Sequence, residues 1–193
     1  MSGTTSTVFS EYEVRQISLK IGEGQALLIP CVGNFEEEME VKTVTKSCRG
    51  KVAKTRSRGT GNGTITISAH IPKDAYYAMH AMAREDLKTG IYAFGESSLL
   101  PEAVLCADVF DEDDNEKLKA YPRATVTTGP ARSVENGADE VAEVELEVAV
   151  SPDDSGEGLY ECIVDELEED EAETVKSQWM NSFSRELVEV ATA

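Results

Sequence analysis

The chain has 193 residues, 40 % of them apolar, and a formal net charge of −19. This length suits one domain with its own hydrophobic core, and the apolar content excludes a wholly disordered chain. The excess of carboxylates disfavours non-specific adhesion to nucleic acid or to anionic membranes. The sequence has no run of about 18 apolar residues, so it predicts no transmembrane helix. Residues 1–7 are small and polar, unlike a secretory signal, and the expectation is a protein that stays in a cytoplasm.

Charge is unevenly distributed along the chain. Residues 1–88 contain 12 Lys/Arg and 10 Asp/Glu, whereas residues 89–193 contain 6 Lys/Arg and 27 Asp/Glu. A nearly neutral half is therefore joined to a strongly acidic half.

Apolar alternation and short apolar runs predict about eight strands. The clearest is 64–70, where β-branched residues such as Ile65 and Ile67 alternate with polar ones. In chain order the candidate segments are 7–20 (an extended arm or a first strand), 23–32, 35–44, 64–70, 91–94, 103–110, 120–127, 141–150 and 159–164. The last two are expected to form a hairpin.

Two segments have helical patterns. Pro72 suits a first helical turn, and the i, i+4, i+7 spacing of Ala75, Met79 and Met82 gives one apolar face, which predicts a helix near 72–85. The composition of 168–180 predicts a short C-terminal helix, followed by a segment that either continues it or becomes extended. Because strands come in runs, the predicted fold is mainly β, a β-sandwich or partial barrel with these two helices. We expect a single domain over 1–193, with an N-terminal arm over about 1–20.

One segment is strongly cationic. It has little apolar periodicity and several glycines, so it predicts a long exposed loop or hairpin tip over about 42–63. Its seven cations are Lys42, Lys46, Arg49, Lys51, Lys54, Arg56 and Arg58.

Catalytic patterns are weak. We interpret His70 and His80 as ordinary, partly buried imidazoles, and 59–63 as a flexible hairpin connection, because phosphate loops follow a strand and open a helix. The acidic run 111–114 lacks the Gly and Glu that a calcium loop needs at its sixth and twelfth positions. The cysteines are far apart, which favours free packing thiols over a zinc site; they are Cys31, Cys48, Cys106 and Cys162. The sequence predicts no enzyme, no cofactor and no metal site.

The cationic segment allows two interpretations. Seven cations are enough to bind a phosphate backbone, but no aromatic residue lies among them for base stacking, and the acidic remainder of the chain repels the same ligand. Opposite charges on two surfaces of one protein instead favour head-to-tail self-association into rings or filaments.

The order of elements resembles a known family. The segment 63–72 leading into 75–82 is similar to a strand that runs directly into a single helix. Segments 103–110 and 120–127 are similar to that family's middle hairpin, and its ending is matched by Tyr160, Val164, Val175, Trp179 and Phe183. The chain resembles the major tail proteins, or tail tube proteins, of long-tailed bacteriophages, especially those of Gram-positive hosts.

The resemblance implies an assembly of stacked hexameric rings around the passage for the genome. It implies a place in the virion tail after assembly in the host cytoplasm, with tape-measure and tail-terminator proteins as further partners and no membrane contact. It also implies that segment 42–63 reaches the neighbouring ring.

DNA must pass such a conduit without specific binding, which favours a carboxylate-lined wall. The candidates for this wall, or for a face complementary to the cations, are Asp111, Glu112, Asp113, Asp114, Glu143, Glu145 and Glu147. Two alternatives stay open. One is another virion or injection-tube structural protein, and the other is a soluble β-sandwich module that uses 42–58 to hold an anionic partner.

Overall fold

The structure, a computed structural model, describes residues 8–49 and 51–190. Within these ranges it is mainly β, as predicted. The strands are β1 (Glu13–Ile21), β2 (Leu27–Ile29), β3 (Val32–Cys48), β4 (Lys51–Ala69), β5 (Glu102–Phe110), β6 (Glu116–Val126), β7 (Val144–Ser151) and β8 (Tyr160–Ile163). The helices are α1 (Lys73–Met79) and α2 (Glu169–Ser182), with single 3₁₀ turns at Val164–Glu166 and Arg185–Leu187.

All strand pairs in the described ranges are antiparallel. The sheet order is β2-β1-β5-β6-β7-β4-β3, and β8 pairs with β6 outside this path. Strand β6 is shared along its length: its first half pairs with β8, and its last four residues pair with β7. The predicted β5–β6 hairpin is confirmed. The predicted hairpin of β7 with β8 is wrong, because each of these strands takes its own stretch of β6 as partner.

The main core lies where the sheet curls over itself. Strand β7 shows why these residues form strands: Leu146, Val148 and Val150 are buried, while Glu145 and Glu147, which alternate with them, are exposed. The inner faces of the other strands meet these residues, and Ile17, Ile65, Ile67, Leu105 and Tyr121 are almost completely buried.

A second core lies on the other face of β5 and β6. Helix α2 covers this face with Val175 and Trp179, which pack with Cys106 and Leu118. The Trp179 indole donates a hydrogen bond to the Lys119 carbonyl at 3.0 Å. Because β5 is covered on both faces, its sequence from Ala103 to Ala107 is an apolar run rather than an alternating pattern, and Asp108 is the one charged residue inside the strand.

Helix α1 is shorter than predicted. It ends at Met79, and Ala81 has a φ of 49°, which takes the chain out of the helix. The chain then folds back along α1: the Tyr77 and Tyr92 rings stack at 3.7 Å, and the Ala93 amide donates to the Met82 carbonyl. The predicted strand at 91–94 is therefore wrong, because these residues cap a turn instead of joining the sheet.

The terminal segments also depart from expectation. The predicted N-terminal arm falls partly on 1–7, outside the described residues, and 13–20 belong to β1, a strand paired on both sides rather than an arm. The C-terminal helix is confirmed, and the chain after it makes only a 3₁₀ turn. Cys106 is buried, as expected of a packing thiol, but Cys31 and Cys48 are exposed. No helix in the described ranges is long and apolar enough to cross a membrane.

Candidate functional site: a cationic ribbon and acidic surfaces

The cationic segment is a two-stranded ribbon that projects from the body. Strand β4 pairs with β7 only from Gly63 onward, so beyond this point β3 and β4 have only each other as partners. We call the paired residues 41–48 and 51–59 the ribbon. All of its described side chains are exposed. Of the two expected forms, an exposed loop or a hairpin tip, the structure shows the hairpin: the segment is exposed but paired as regular β-structure, because Thr and Val between the cations favour extended backbone.

The cations are sorted onto one face of the ribbon. Antiparallel partners lie on the same face, and the pairs Lys42 with Arg58 and Lys46 with Lys54 are each directly opposite. Arg56 lies between them, opposite Val44. Like charges directly opposite each other destabilise a strand pair, and no ribbon cation in the described ranges forms an ion pair. This face therefore presents positive charge that no carboxylate of the described ranges compensates.

The other face of the ribbon carries hydroxyl groups. Thr43 is opposite Ser57, with their hydroxyl oxygens 2.8 Å apart, and Thr45 is opposite Thr55. The last two predicted cations lie at the tip: Arg49 has a φ of 52° in the turn, and Lys51 pairs with Cys48. The sequence therefore indicated which residues are cationic, but not that five of the seven share a face.

The base of the ribbon is locked by close backbone contacts. Gly61 has a φ of 76°, and a Cβ at Gly158 would lie 1.8 Å from the Gly61 carbonyl oxygen. A Cβ at Gly61 would lie 2.6 Å from the Pro152 Cβ. The expectation of a flexible connection over 59–63 is therefore wrong. These residues form a bulged part of β4, against which the β7–β8 loop packs.

Part of the predicted acidic wall lies on the outer face of the sheet. Glu145 and Glu147 are exposed on β7, and Thr66 of β4 lies between Glu147 and Glu36 of β3. Glu143 precedes the strand, and its carboxylate lies against Gly33. The outer face of β3 changes sign along its length, because Glu36, Glu38 and Glu40 are followed with the same period of two by Lys42 and Lys46.

The other predicted carboxylates are elsewhere. Residues 111–114 form the β5–β6 turn, and the eleven residues of β6 lie between this turn and the β7 carboxylates, a span of about 35 Å. Asp111 is mostly buried, and its Oδ1 accepts from the amides of Asp113 and Asn115 at 2.9 Å. The Asn115 side-chain amide also donates to the Asp111 Oδ2 at 2.6 Å, and this hydrogen bond, with smaller contributions from the two backbone amides, holds the pKa of Asp111 below its usual value. Glu112 and Asp113 are exposed, and Asp114 pairs with Arg15. The structure does not bring the two groups together.

Sequence reasoning missed a buried charge cluster. Lys119 of β6 has a side chain only 1 % exposed, and its Nζ contacts three carboxylates: Glu37, Glu11 at 2.8 Å and Glu161 at 3.4 Å. The Tyr121 hydroxyl donates to Glu37. Burial alone disfavours the charged forms, but the hydrogen bonds raise the pKa of Lys119 and lower that of Glu11. Burial, followed by the Glu37 carboxylate, strongly raises the pKa of Tyr121.

This cluster has the donor set of a cation site but already contains its cation. Oxygens of Glu11, Glu37 and Glu161 lie within 4.8 Å of one another. The Lys119 ammonium lies between them and, together with Lys117, which pairs with Glu11 and Glu161, offsets most of their negative charge. The cluster therefore joins β3, β6, β8 and the segment before β1, and its role is structural. The only signal in the sequence was the alternation of Lys117, Lys119 and Tyr121, whose partners come from distant segments.

The two histidines lie in different environments. His70 is exposed at the end of β4, whereas His80 is completely buried beside Tyr76. The His80 Nδ1 is 2.9 Å from the Tyr76 carbonyl oxygen, and its Nε2 has no hydrogen-bond partner among the described residues. Only His80 therefore fits the expectation of a buried imidazole.

No family model and no curated protein matches the sequence. Among solved structures, the chain is similar at 11 % identity to a chain of the anti-feeding prophage tube-terminating cap, over 84 % of this chain and 99 % of that one, with a TM-score of 0.49. A chain of the PVC sheath–tube complex, from an extracellular contractile injection system in its extended state, is 11 % identical over 84 % of this chain and 99 % of that one, with a TM-score of 0.48. A chain of the anti-feeding prophage baseplate is 9 % identical over 82 % of this chain and 97 % of that one, with a TM-score of 0.45. A TM-score below 0.5 does not establish a shared fold, so the proposals below rest on the residues of this chain.

Proposed function

We propose that this protein is the structural subunit of a phage-tail-type tube, which polymerises as stacked rings around a passage for DNA. The observation that carries the proposal is the ribbon. An isolated two-stranded hairpin is marginally stable in water, and this one neither packs on the body nor pairs its charges there. Contact with another subunit accounts for its length, its charge and its exposure.

The body supplies the opposite charge. Five cations lie on one face of the ribbon, while the outer faces of β3 and β7 carry Glu36, Glu38, Glu145 and Glu147. Opposite charges on different parts of one protomer favour heterologous contacts, which generate rings and filaments. The same carboxylates suit a passage that repels the DNA backbone and lets it slide. On this proposal the protein's main partner is itself, and the tape-measure and tail-terminator proteins meet the tube along its lumen and at its end.

Charge reversal of the ribbon tests the proposal. The variant K51E/K54E/R56E/R58E should fold normally, because these side chains are exposed and make no ion pair in the described ranges. It should lose the rings or tubes that the wild-type protein forms at high concentration, as seen by negative-stain microscopy and sedimentation. A strictly monomeric wild-type protein at all concentrations would refute the proposal.

A control separates the position of the charge from its amount. Lys73 and Lys88 are exposed cations near α1, away from the ribbon. The variant K73E/K88E should assemble as the wild type does, whereas the variant K54E/R56E, with the same net charge, should not. Equal loss in both variants would mean that net charge controls assembly instead of the ribbon.

The sorted cationic face also favours a second candidate, a module that binds an anionic macromolecule. No aromatic residue of the ribbon is available for stacking on bases, so binding would depend on phosphate contacts alone. A mobility-shift titration with DNA at low salt distinguishes the two. Tight binding by a protein that remains monomeric would favour this second candidate over the tube.

A further inference from the structure

The ribbon and a second charged surface lie at opposite ends of the same strand. Strand β4 begins in the ribbon at Lys51 and ends at Ala69, next to His70. Its nineteen residues span about 60 Å. Because Ala69 pairs with Val144, the start of β7 lies at this far end too.

The far end contains a groove with a mixed lining. We call it the end groove; it is formed by His70, Glu135, Ala138, Glu140, Val141 and Glu143. Val141 is 81 % exposed and the neighbouring Val134 is 85 % exposed, so the groove offers apolar as well as acidic surface. The three carboxylates form no ion pair with any cation in the described ranges.

The ribbon complements this groove in two respects. It carries five cations on one face, and it also exposes Val41, Val44 and Val52 by 61–67 %. Of these valines, Val44 lies on the cationic face, opposite Arg56. A cationic face with an apolar centre matches an acidic groove with exposed valines.

We propose that the ribbon of one protomer docks in the end groove of a second copy, so that successive subunits join end to end along the direction of β4. The inference rests on the proposed function and names the receiving surface for its ribbon. Donor and acceptor are different patches at opposite ends of the molecule, so the contact is heterologous and repeats without limit in one direction. Cations paired with Glu135 and Glu140 at the interface set its register, and the valines exclude water.

A second acidic groove exists on the side of the body and serves as the comparison. It lies between β8 and α2, with Glu166 and Glu171 at its rim and Trp179 at its floor. We call it the side groove. The side groove does not lie at the end of β4. Docking there would therefore not place successive subunits end to end along the direction of this strand.

The experiment exchanges charges between two variants. The ribbon variant K46E/K54E reverses two cations that face each other, and the groove variant E135K/E140K reverses two carboxylates. Each variant alone should fold, as monitored by circular dichroism, and should fail to form stacked assemblies in sedimentation and negative-stain microscopy. An equal mixture should regain assembly to within about threefold of the wild-type critical concentration, because the carboxylates introduced in one ribbon then meet the lysines introduced in the other groove, while the unchanged ribbon meets an unchanged groove.

The outcomes distinguish the two proposals. Assembly of the mixture, with normal assembly of the side-groove control E166K/E171K, supports docking in the end groove. If the groove variant assembles like the wild type while the ribbon variant does not, the docking site is wrong and the proposed function stands. If the side-groove control alone fails, the ribbon docks there instead and the inference is overturned. If the wild-type protein never assembles, the proposed function falls and the docking inference with it.

Discussion

The cationic side chains of the protein lie in two opposite environments. Lys119 is buried among Glu11, Glu37 and Glu161, and every contact of its ammonium is internal. The ribbon cations are exposed, and they have no ion-pair partner in the described part of the chain. A buried cation without partners would be prohibitively expensive, whereas an exposed one costs little. The buried lysine therefore serves stability, whereas the exposed ribbon cations remain available for the contact that the proposed assembly requires.

This contrast predicts that the same substitution has very different effects in the two regions. Replacing Lys119 by Met keeps the side-chain length but leaves three carboxylates facing each other with only Lys117 nearby. We expect a loss of about 3 kcal/mol in unfolding free energy, as for other broken buried pairs. Urea titration followed by circular dichroism measures it. A loss below about 1 kcal/mol would mean that the carboxylates are solvated and that the cluster does not hold the layers together.

The junction between body and ribbon gives the next largest effect. In the variant G158A the new Cβ would lie 1.8 Å from the Gly61 carbonyl oxygen, so backbone must move. We expect about 2 kcal/mol of destabilisation and a displaced ribbon. The matched control is G59A, because a Cβ at Gly59 meets nothing within 4 Å. Equal stabilities of the two variants by thermal unfolding would show that the base of the ribbon is not locked.

Asp108 is a body carboxyl whose charge is poorly compensated, and it predicts a pH dependence. Its Oδ1 is buried without a hydrogen-bond partner in the described ranges. Burial, followed by repulsion from Glu116, raises the pKa of Asp108 to about 6, while Lys176 and Arg15 act in the opposite direction. The folded state therefore keeps a proton that the unfolded chain releases, and this stabilisation is lost as the pH rises from about 4 to about 6.

The variant D108N cannot ionise and should escape that loss. We expect it to be more stable than the wild type by about 1 kcal/mol at pH 8, with a smaller gain at pH 5. Urea unfolding at the two pH values measures the difference. A gain that is equal at both would attribute the effect to packing and not to the proton.

The smallest effect belongs to the ribbon. The variant K42M makes the same replacement as K119M, at an exposed cation opposite Arg58. Unfolding free energy should change by less than about 0.5 kcal/mol, since surface substitutions rarely do more. A destabilisation as large as that of K119M would show that the ribbon belongs to the cooperative fold of the body.

Much of the fold followed from local pattern. Strands with alternating or continuous apolar residues, such as β5, β7 and the end of β4, were predicted because burial imposes a period or a run on the sequence. The early end of α1 and the irregular structure of 91–94 could not be predicted in this way. They depend on the stacking of Tyr77 on Tyr92, a contact between two segments that leaves no periodic pattern in the sequence. The pairing partner of β8 could not be predicted either. Strands that are neighbours in the chain often pair, which favoured β7, but β8 pairs with the first half of β6 instead.

The sequence by itself determined which residues are charged, which segments extend and that cationic and acidic regions are separate. Only the tertiary structure decided what those charges do. It placed Lys119 among carboxylates from three distant segments, sorted five ribbon cations onto one face, and put an acidic groove at the other end of the same strand. The reason is physical: composition and periodicity are local, whereas pairing register and burial depend on which distant segments share the same space.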